Sequence, residues 1–408
     1  MASSSPAKDI LLTQTVKPKV SISNTSPSHY INPQKTHTHS TTFITSIMAS
    51  CNGLSVFLLT LITTTSCILV SSSSAQTVPA LFMFGDSLVD VGNNNHLPLS
   101  LLKADFPHNG VDYPGRKSTG RFSNGRNAAD FIADKLGIPT SPPYLSLTSA
   151  TNKSNAFLGG VSFASGGGGI LDTTNKGKCL SLNKQIEYHT VVYSNLVQLM
   201  GSAGAQQYLS RSLFAVVIGS NDILGYFGSQ NKVTTPQQFV NSLVLTLQDQ
   251  MKTIYNLGGR KFAFVGVGPI GCSPAKRNEN SAGECEEDIN SVCTMYNEAV
   301  KSLLSSMKTD LPDMSYSFFD TYVADLEYIQ NPSKYGFAEV KAACCGLGHL
   351  NAKIACTPIS TYCPNRKDHL FWDFYHPTET VSRMLSDTAF DGSPPSVDPI
   401  NIRQLVGL

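Results

Sequence analysis

Charge is scarce in this sequence. Asp, Glu, Lys and Arg make up 14% of its 408 residues, and the formal net charge is +1. Such a balance gives no electrostatic basis for binding nucleic acid or an anionic membrane surface. Tryptophan occurs once, as Trp372. No G-x-S-x-G is present, which argues against the strand-to-helix nucleophile elbow. No G-x-x-x-x-G-K-[ST] is present either, which argues against a Walker-type phosphate loop. C-x-x-C is missing, and with it the usual spacing of a structural zinc site. The chain also has no run apolar enough to span a bilayer; its most apolar stretch, Val56 to Val70, is broken by threonines.

What is present fits a globular chain with a leader. The composition is 41% hydrophobic, which rules out disorder of the whole. Residues 1–47 are rich in Ser, Thr and His, carry Asp9 as their only acid, and are expected to be a disordered extension. Residues 48–75 resemble a secretory signal peptide: Met48, an apolar core from Val56 to Ile62, and Ser73-Ser74-Ala75 as a small-x-small cleavage site. The expected location is therefore extracellular. A Ser/Thr-rich, acid-poor leader also suits a plastid transit peptide, the competing expectation. Residues 76–408 are expected to form a single domain, acting as a monomer. They hold eight cysteines, an even number that suits disulfides in an oxidising compartment. Their pairing is not deducible, and zinc at Cys344, Cys345, His349, Cys356, Cys363 and His369 is the weaker alternative. Asn152-Lys153-Ser154 is a glycosylation acceptor.

Short apolar runs alternate with amphipathic stretches. Ala80–Phe84, Phe214–Ile218, Phe262–Val265 and Ser315–Phe319 read as buried strands. Between them, Phe239, Leu243, Leu247, Met251 and Ile254 fall on one helical face, as do Ile289, Val292, Tyr296, Val300, Leu303 and Met307. A shorter helix is expected from Asn127 to Leu136, and a final one from Pro377, a favoured first position. Strand alternating with helix predicts an α/β domain with a parallel sheet. Sites in such sheets lie at the carboxyl ends of the strands.

Two of those ends carry distinctive polar clusters, Gly85-Asp86-Ser87 and Gly219-Ser220-Asn221-Asp222. A serine hydroxyl is a weak nucleophile until a base takes its proton. His376 is the candidate base, and Asp373, three residues before it, can hold the imidazole in the right tautomer. Pro377 disfavours helix at His376 and leaves it on a loop. Alone, Ser87 would read as a turn or cap serine and Asp373/His376 as a surface pair. The developing oxyanion needs donors, each worth about 3 kcal/mol in the transition state. Asn221 offers a side-chain amide, and Gly166, in a run of four glycines, offers a backbone N–H.

Together these blocks resemble the plant GDSL esterase/lipase family, a branch of the SGNH hydrolases. Phe84-Gly85-Asp86-Ser87-Leu88-Val89-Asp90-Val91-Gly92-Asn93-Asn94 matches its first block, Phe163-Ala164-Ser165-Gly166-Gly167 its second, Ile218-Gly219-Ser220-Asn221-Asp222 its third, and Trp372 to Glu379 its fifth. The resemblance covers about residues 78–390; Ser162, where the family often has Asn, is one departure. It implies a flavodoxin-like three-layer α/β/α fold and hydrolysis of carboxylic esters, lipids included, through an acyl-enzyme. Ser87, His376 and Asp373 would be the triad. The Ser87 and Gly166 N–H groups and the Asn221 amide would form the oxyanion hole, with no metal or organic cofactor. Acyl transfer to an alcohol or sugar by the same intermediate is the alternative, and a non-catalytic binding protein a weaker one.

Overall fold

The apolar runs form the centre of a parallel sheet. A computed structural model describes residues 78–148, 153–230 and 233–408. The expected extension, signal peptide and Asn152 lie outside the described residues. Five strands run parallel: β1 (Leu81–Gly85), β2 (Gly160–Ser162), β3 (Leu213–Val217), β4 (Lys261–Val265) and β5 (Ser315–Phe319). Their spatial order is β2-β1-β3-β4-β5, and the short strand Val397–Asp398 adds antiparallel to β5. That order is the flavodoxin-like doubly wound arrangement, so the expected fold is observed.

Helices cover both faces. They are α1 (Ala128–Leu136), α2 (Leu182–Arg211, interrupted at Gly201), α3 (Ser220–Gly228), α4 (Pro236–Asn256), α5 (Glu287–Asp310), α6 (Thr321–Gln330) and α7 (Glu379–Asp391). Successive strand residues point to opposite faces. Phe82, Phe84, Phe214, Phe262, Phe264 and Phe318 therefore pack with α2, α4 and α5. Leu81, Met83, Leu213, Ala215 and Ala263 pack with α1 and α7. Burial on both sides explains why the strands are continuously apolar rather than alternating.

Helix ends follow local chemistry. Asn127 caps α1 in a reciprocal box with Asp130, and Gly137 closes it in a left-handed conformation. The helix expected from Pro377 starts two residues later, at Glu379, and is not the final one, since the short helix Ile402–Val406 follows it. Thr378, not the residue before Pro377, caps α7, with its hydroxyl accepting from the Val381 N–H.

Six of the eight cysteines pair, as Cys272–Cys285, Cys344–Cys363 and Cys345–Cys356; Cys179 and Cys293 remain thiols. The zinc alternative is overturned, because the four cysteines it needed are joined to one another. Two of these bridges staple the irregular chain between α6 and α7, which delivers Asp373 and His376.

Candidate active site

The end of β1 and the loop before α7 meet at one point. His376 Nε2 lies 2.7 Å from Ser87 Oγ. Its Nδ1 lies 2.8 and 2.9 Å from the two oxygens of Asp373. Asp373 Oδ1 also accepts the backbone N–H groups of Tyr375 and His376, so the carboxylate is fixed by its own loop. Asp373 and His376 are both buried. The His376 imidazole is raised above its ordinary value near 6.5: burial opposes its charge, but Asp373, and behind it Asp86, outweigh burial. Phe122 packs over the imidazole at 5.0 Å between ring centres. Its loop is anchored by the neighbouring Arg121, bonded through two nitrogens to the buried Asp130.

Gly85 makes the sharp exit from β1. Its φ is 154°, and a Cβ there would lie 2.4 Å from the Val217 carbonyl oxygen. Gln185 from α2 clamps the same residue, accepting its N–H and donating to its carbonyl, both at 2.8 Å.

Asn221 stands in the first turn of α3 and lines the cavity that holds Ser87. Its amide donates to the Gly168 carbonyl at 3.0 Å. Gly166 departs from the expectation. Its N–H already donates to Asp90 Oδ2 at 2.9 Å, and the residue does not line the cavity. The next residue does: Gly167, at φ 84°, borders the cavity, and its N–H has no partner among the described residues. The Ser87 N–H is likewise unpaired there.

The cavity measures about 1030 Å³. Leu101, Leu102, Phe106, Leu171, Leu224 and Phe239 give it apolar walls around the Ser87 hydroxyl. A large apolar pocket with a few convergent polar groups is the usual form of a small-molecule site. The run Gly266-Val267-Gly268-Pro269-Ile270-Gly271 follows β4 with the spacing of a dinucleotide loop. It enters a three-residue turn, Ile270–Cys272, and so offers no long helix end to a phosphate.

The model of the GDSL-like lipase/acylhydrolase family matches residues 81–388. Three GDSL esterase/lipases of Arabidopsis thaliana are 45%, 39% and 38% identical, over 82%, 78% and 80% of this chain and 92%, 90% and 89% of theirs. The chain belongs to the GDSL lipase/acylhydrolase family. It is thus a carboxylic ester hydrolase, with small-molecule esters as substrates. No described helix is long and apolar enough to cross a membrane.

Several residues that shape this GDSL site were not singled out from sequence. Asp86 is buried beside the triad, and burial pushes its carboxyl up to about 7 against the Leu88 N–H bond and the attraction of His376. Asp90 accepts the N–H groups of Gly92, Asn93 and Gly166. Asn93 donates to the Ser162 and Ala164 carbonyls, and Asn94 to that of Gly166. These side chains tie the loop after β1 to the glycine run. Their only signal in the sequence was their place in the first motif block.

Proposed function

We propose that this protein hydrolyses carboxylic esters through a covalent acyl-enzyme on Ser87, with His376 as general base and acid and Asp373 as its orienting carboxylate. The 2.7 Å contact between His376 Nε2 and Ser87 Oγ carries the proposal. Ser87 Oγ attacks the ester carbonyl carbon while its proton passes to Nε2. The resulting imidazolium is stabilised by Asp373. The carbonyl oxygen becomes an oxyanion facing preorganised donors. These are the Ser87 N–H, the Asn221 amide, and an N–H of the glycine run, for which Gly167 is better placed than Gly166. Collapse expels the alcohol, which takes the proton from Nε2. Water then gives a proton to His376 and attacks the acyl carbon; the acyl bond to Ser87 Oγ breaks, Oγ takes the proton back from Nε2, and the acid leaves.

The apolar walls suit an acyl chain, and lipid-type esters are accordingly the proposed substrates. Secretion is proposed on the same footing: three disulfides suit an oxidising compartment. Residues 48–75 would then be the signal, and residues 76–408 the exported domain. The test is turnover of p-nitrophenyl esters of graded acyl length by the wild type and by Ser87→Ala. The proposal expects turnover that vanishes in the folded variant; equal turnover in both would remove Ser87 from the mechanism.

A further inference from the structure

Asp86 precedes the nucleophile in the chain and touches the proposed oxyanion donor, yet the mechanism gives it no part. It is buried, 1% exposed, at the floor of the cavity that holds Ser87. Its Oδ1 accepts the Leu88 N–H at 3.0 Å, which holds the carboxyl in place. Its Oδ2 lies 3.5 Å from Asn221 Nδ2. The same nitrogen donates to the Gly168 carbonyl at 3.0 Å. That carbonyl is held firmly too. The glycine run is pressed against the exit of β1, and a Cβ on Gly168 would lie 2.9 Å from the Leu180 and Ser165 carbonyl oxygens and 3.1 Å from that of Gly85.

A side-chain amide carries two donors on one arm and an acceptor on the other, and half a turn exchanges them. Exchanged, the Asn221 oxygen would face two acceptor oxygens, one from the glycine run and one from the loop after β1. We propose that Asp86 is a positioning residue for ester hydrolysis: with the Gly168 carbonyl, it keeps the donor arm of Asn221, not its carbonyl arm, available to the oxyanion. This rests on the ester-hydrolase reading and on Asn221 as a donor. The two hydrogens on Nδ2 are held differently. One is engaged by Gly168. The other faces Asp86 at a separation beyond that of a good N–H···O bond, about 2.7–3.2 Å. The contact therefore selects the orientation without withholding that hydrogen from a developing oxyanion. Asp86→Asn separates this role from mere space-filling. Its oxygen can go on accepting from Leu88, which turns an NH₂ group towards the NH₂ of Asn221. Two donors repel, and Asn221 is driven from its orientation.

A double-mutant cycle over Asp86→Asn and Asn221→Ala in the full chain tests this. It is read as kcat on a p-nitrophenyl ester at the alkaline plateau, because Asp86 also helps to raise the His376 imidazole. It is read again as the rate at which a fluorophosphonate modifies Ser87, its phosphoryl oxygen standing where the oxyanion forms. Alone, Asp86→Asn is expected to lower both rates by about tenfold or more and to change KM by less than about twofold. With Asn221→Ala already present, the same substitution should change either rate by less than about twofold. If Asp86→Asn does not fold, as judged by urea unfolding, Asp86→Ser enters the same cycle; its hydroxyl can still accept from the Leu88 N–H but is too short to reach Asn221. An equal loss with and without the Asn221 side chain, or no loss at all, overturns the proposal. Labelling of the wild type without ester turnover would contradict the hydrolase reading alone, and the labelling cycle then decides the role of Asp86. Failure of the wild type to be labelled overturns both.

Discussion

The Gly166 N–H donates to Asp90 Oδ2 at 2.9 Å, joining the loop after β1 to the glycine run 76 residues later. The other oxygen of Asp90 accepts from Gly92 and Asn93 at 2.7 and 2.8 Å. Asp90→Asn exchanges one acceptor for an NH₂ group and leaves a buried N–H unpaired, at a cost of about 1–3 kcal/mol. Urea unfolding should show that loss. The loosened glycine run should also lower kcat on a p-nitrophenyl ester more than it raises KM.

Asn221 is proposed to meet the oxyanion rather than the ground-state ester. Asn221→Ala is therefore expected to lower kcat by roughly a hundredfold or more. An effect confined to KM would make Asn221 a ground-state binding residue.

The pH profile follows from the raised pKa of His376. The base must be neutral to accept the Ser87 proton, so kcat/KM should rise with pH through a midpoint above 6.5. Asp373→Asn removes the main group that stabilises the imidazolium. Its midpoint should move down, and its plateau should fall by about 10⁴-fold. A wild-type midpoint at or below the ordinary histidine value would contradict this.

His189 is buried among Phe82, Phe84, Phe163 and Phe214, and neither ring nitrogen has a hydrogen-bond partner among the described residues. Burial pushes its pKa from 6.5 down to about 3. Between those values the unfolded chain binds a proton that the folded protein does not. Stability is therefore lost as pH falls through that window, by about 1.4 kcal/mol per pH unit. His189→Phe should remove this contribution, so its advantage over the wild type in urea should grow from about pH 7 to about pH 5. A constant difference would mean that His189 takes up its proton in the folded protein as it does in the unfolded chain.

Much of this was legible in the sequence for identifiable reasons. The strands β1, β3, β4 and β5 are apolar runs ended by glycine or polar loops. The stripes of α4 and α5 follow the helical period. Ser87 could be named because it follows a strand, His376 because it precedes a proline in a distinctive block, and Asp373 because it stands three residues before His376. Strand β2, with only three residues, left no pattern to read. The roles of Asp90, Asn93 and Gln185 were hidden because loop-anchoring hydrogen bonds depend on chain ends meeting in space, not on any period. The one-residue difference between Gly166 and Gly167 has the same origin: in a run of four glycines, only backbone direction separates an N–H bound to Asp90 from one beside the cavity. Cysteine pairing was equally unreadable, since Cys179 and Cys293 look no different in sequence from the six that pair.

The most direct test is chemical capture of the nucleophile. The full chain is treated with a fluorophosphonate, and the modified peptide is located by mass spectrometry, with Ser87→Ala and His376→Ala alongside. A single adduct on Ser87, lost in the first variant and strongly slowed in the second, is the predicted result. An adduct on another residue, or labelling of Ser87 at the same rate without His376, would contradict the account.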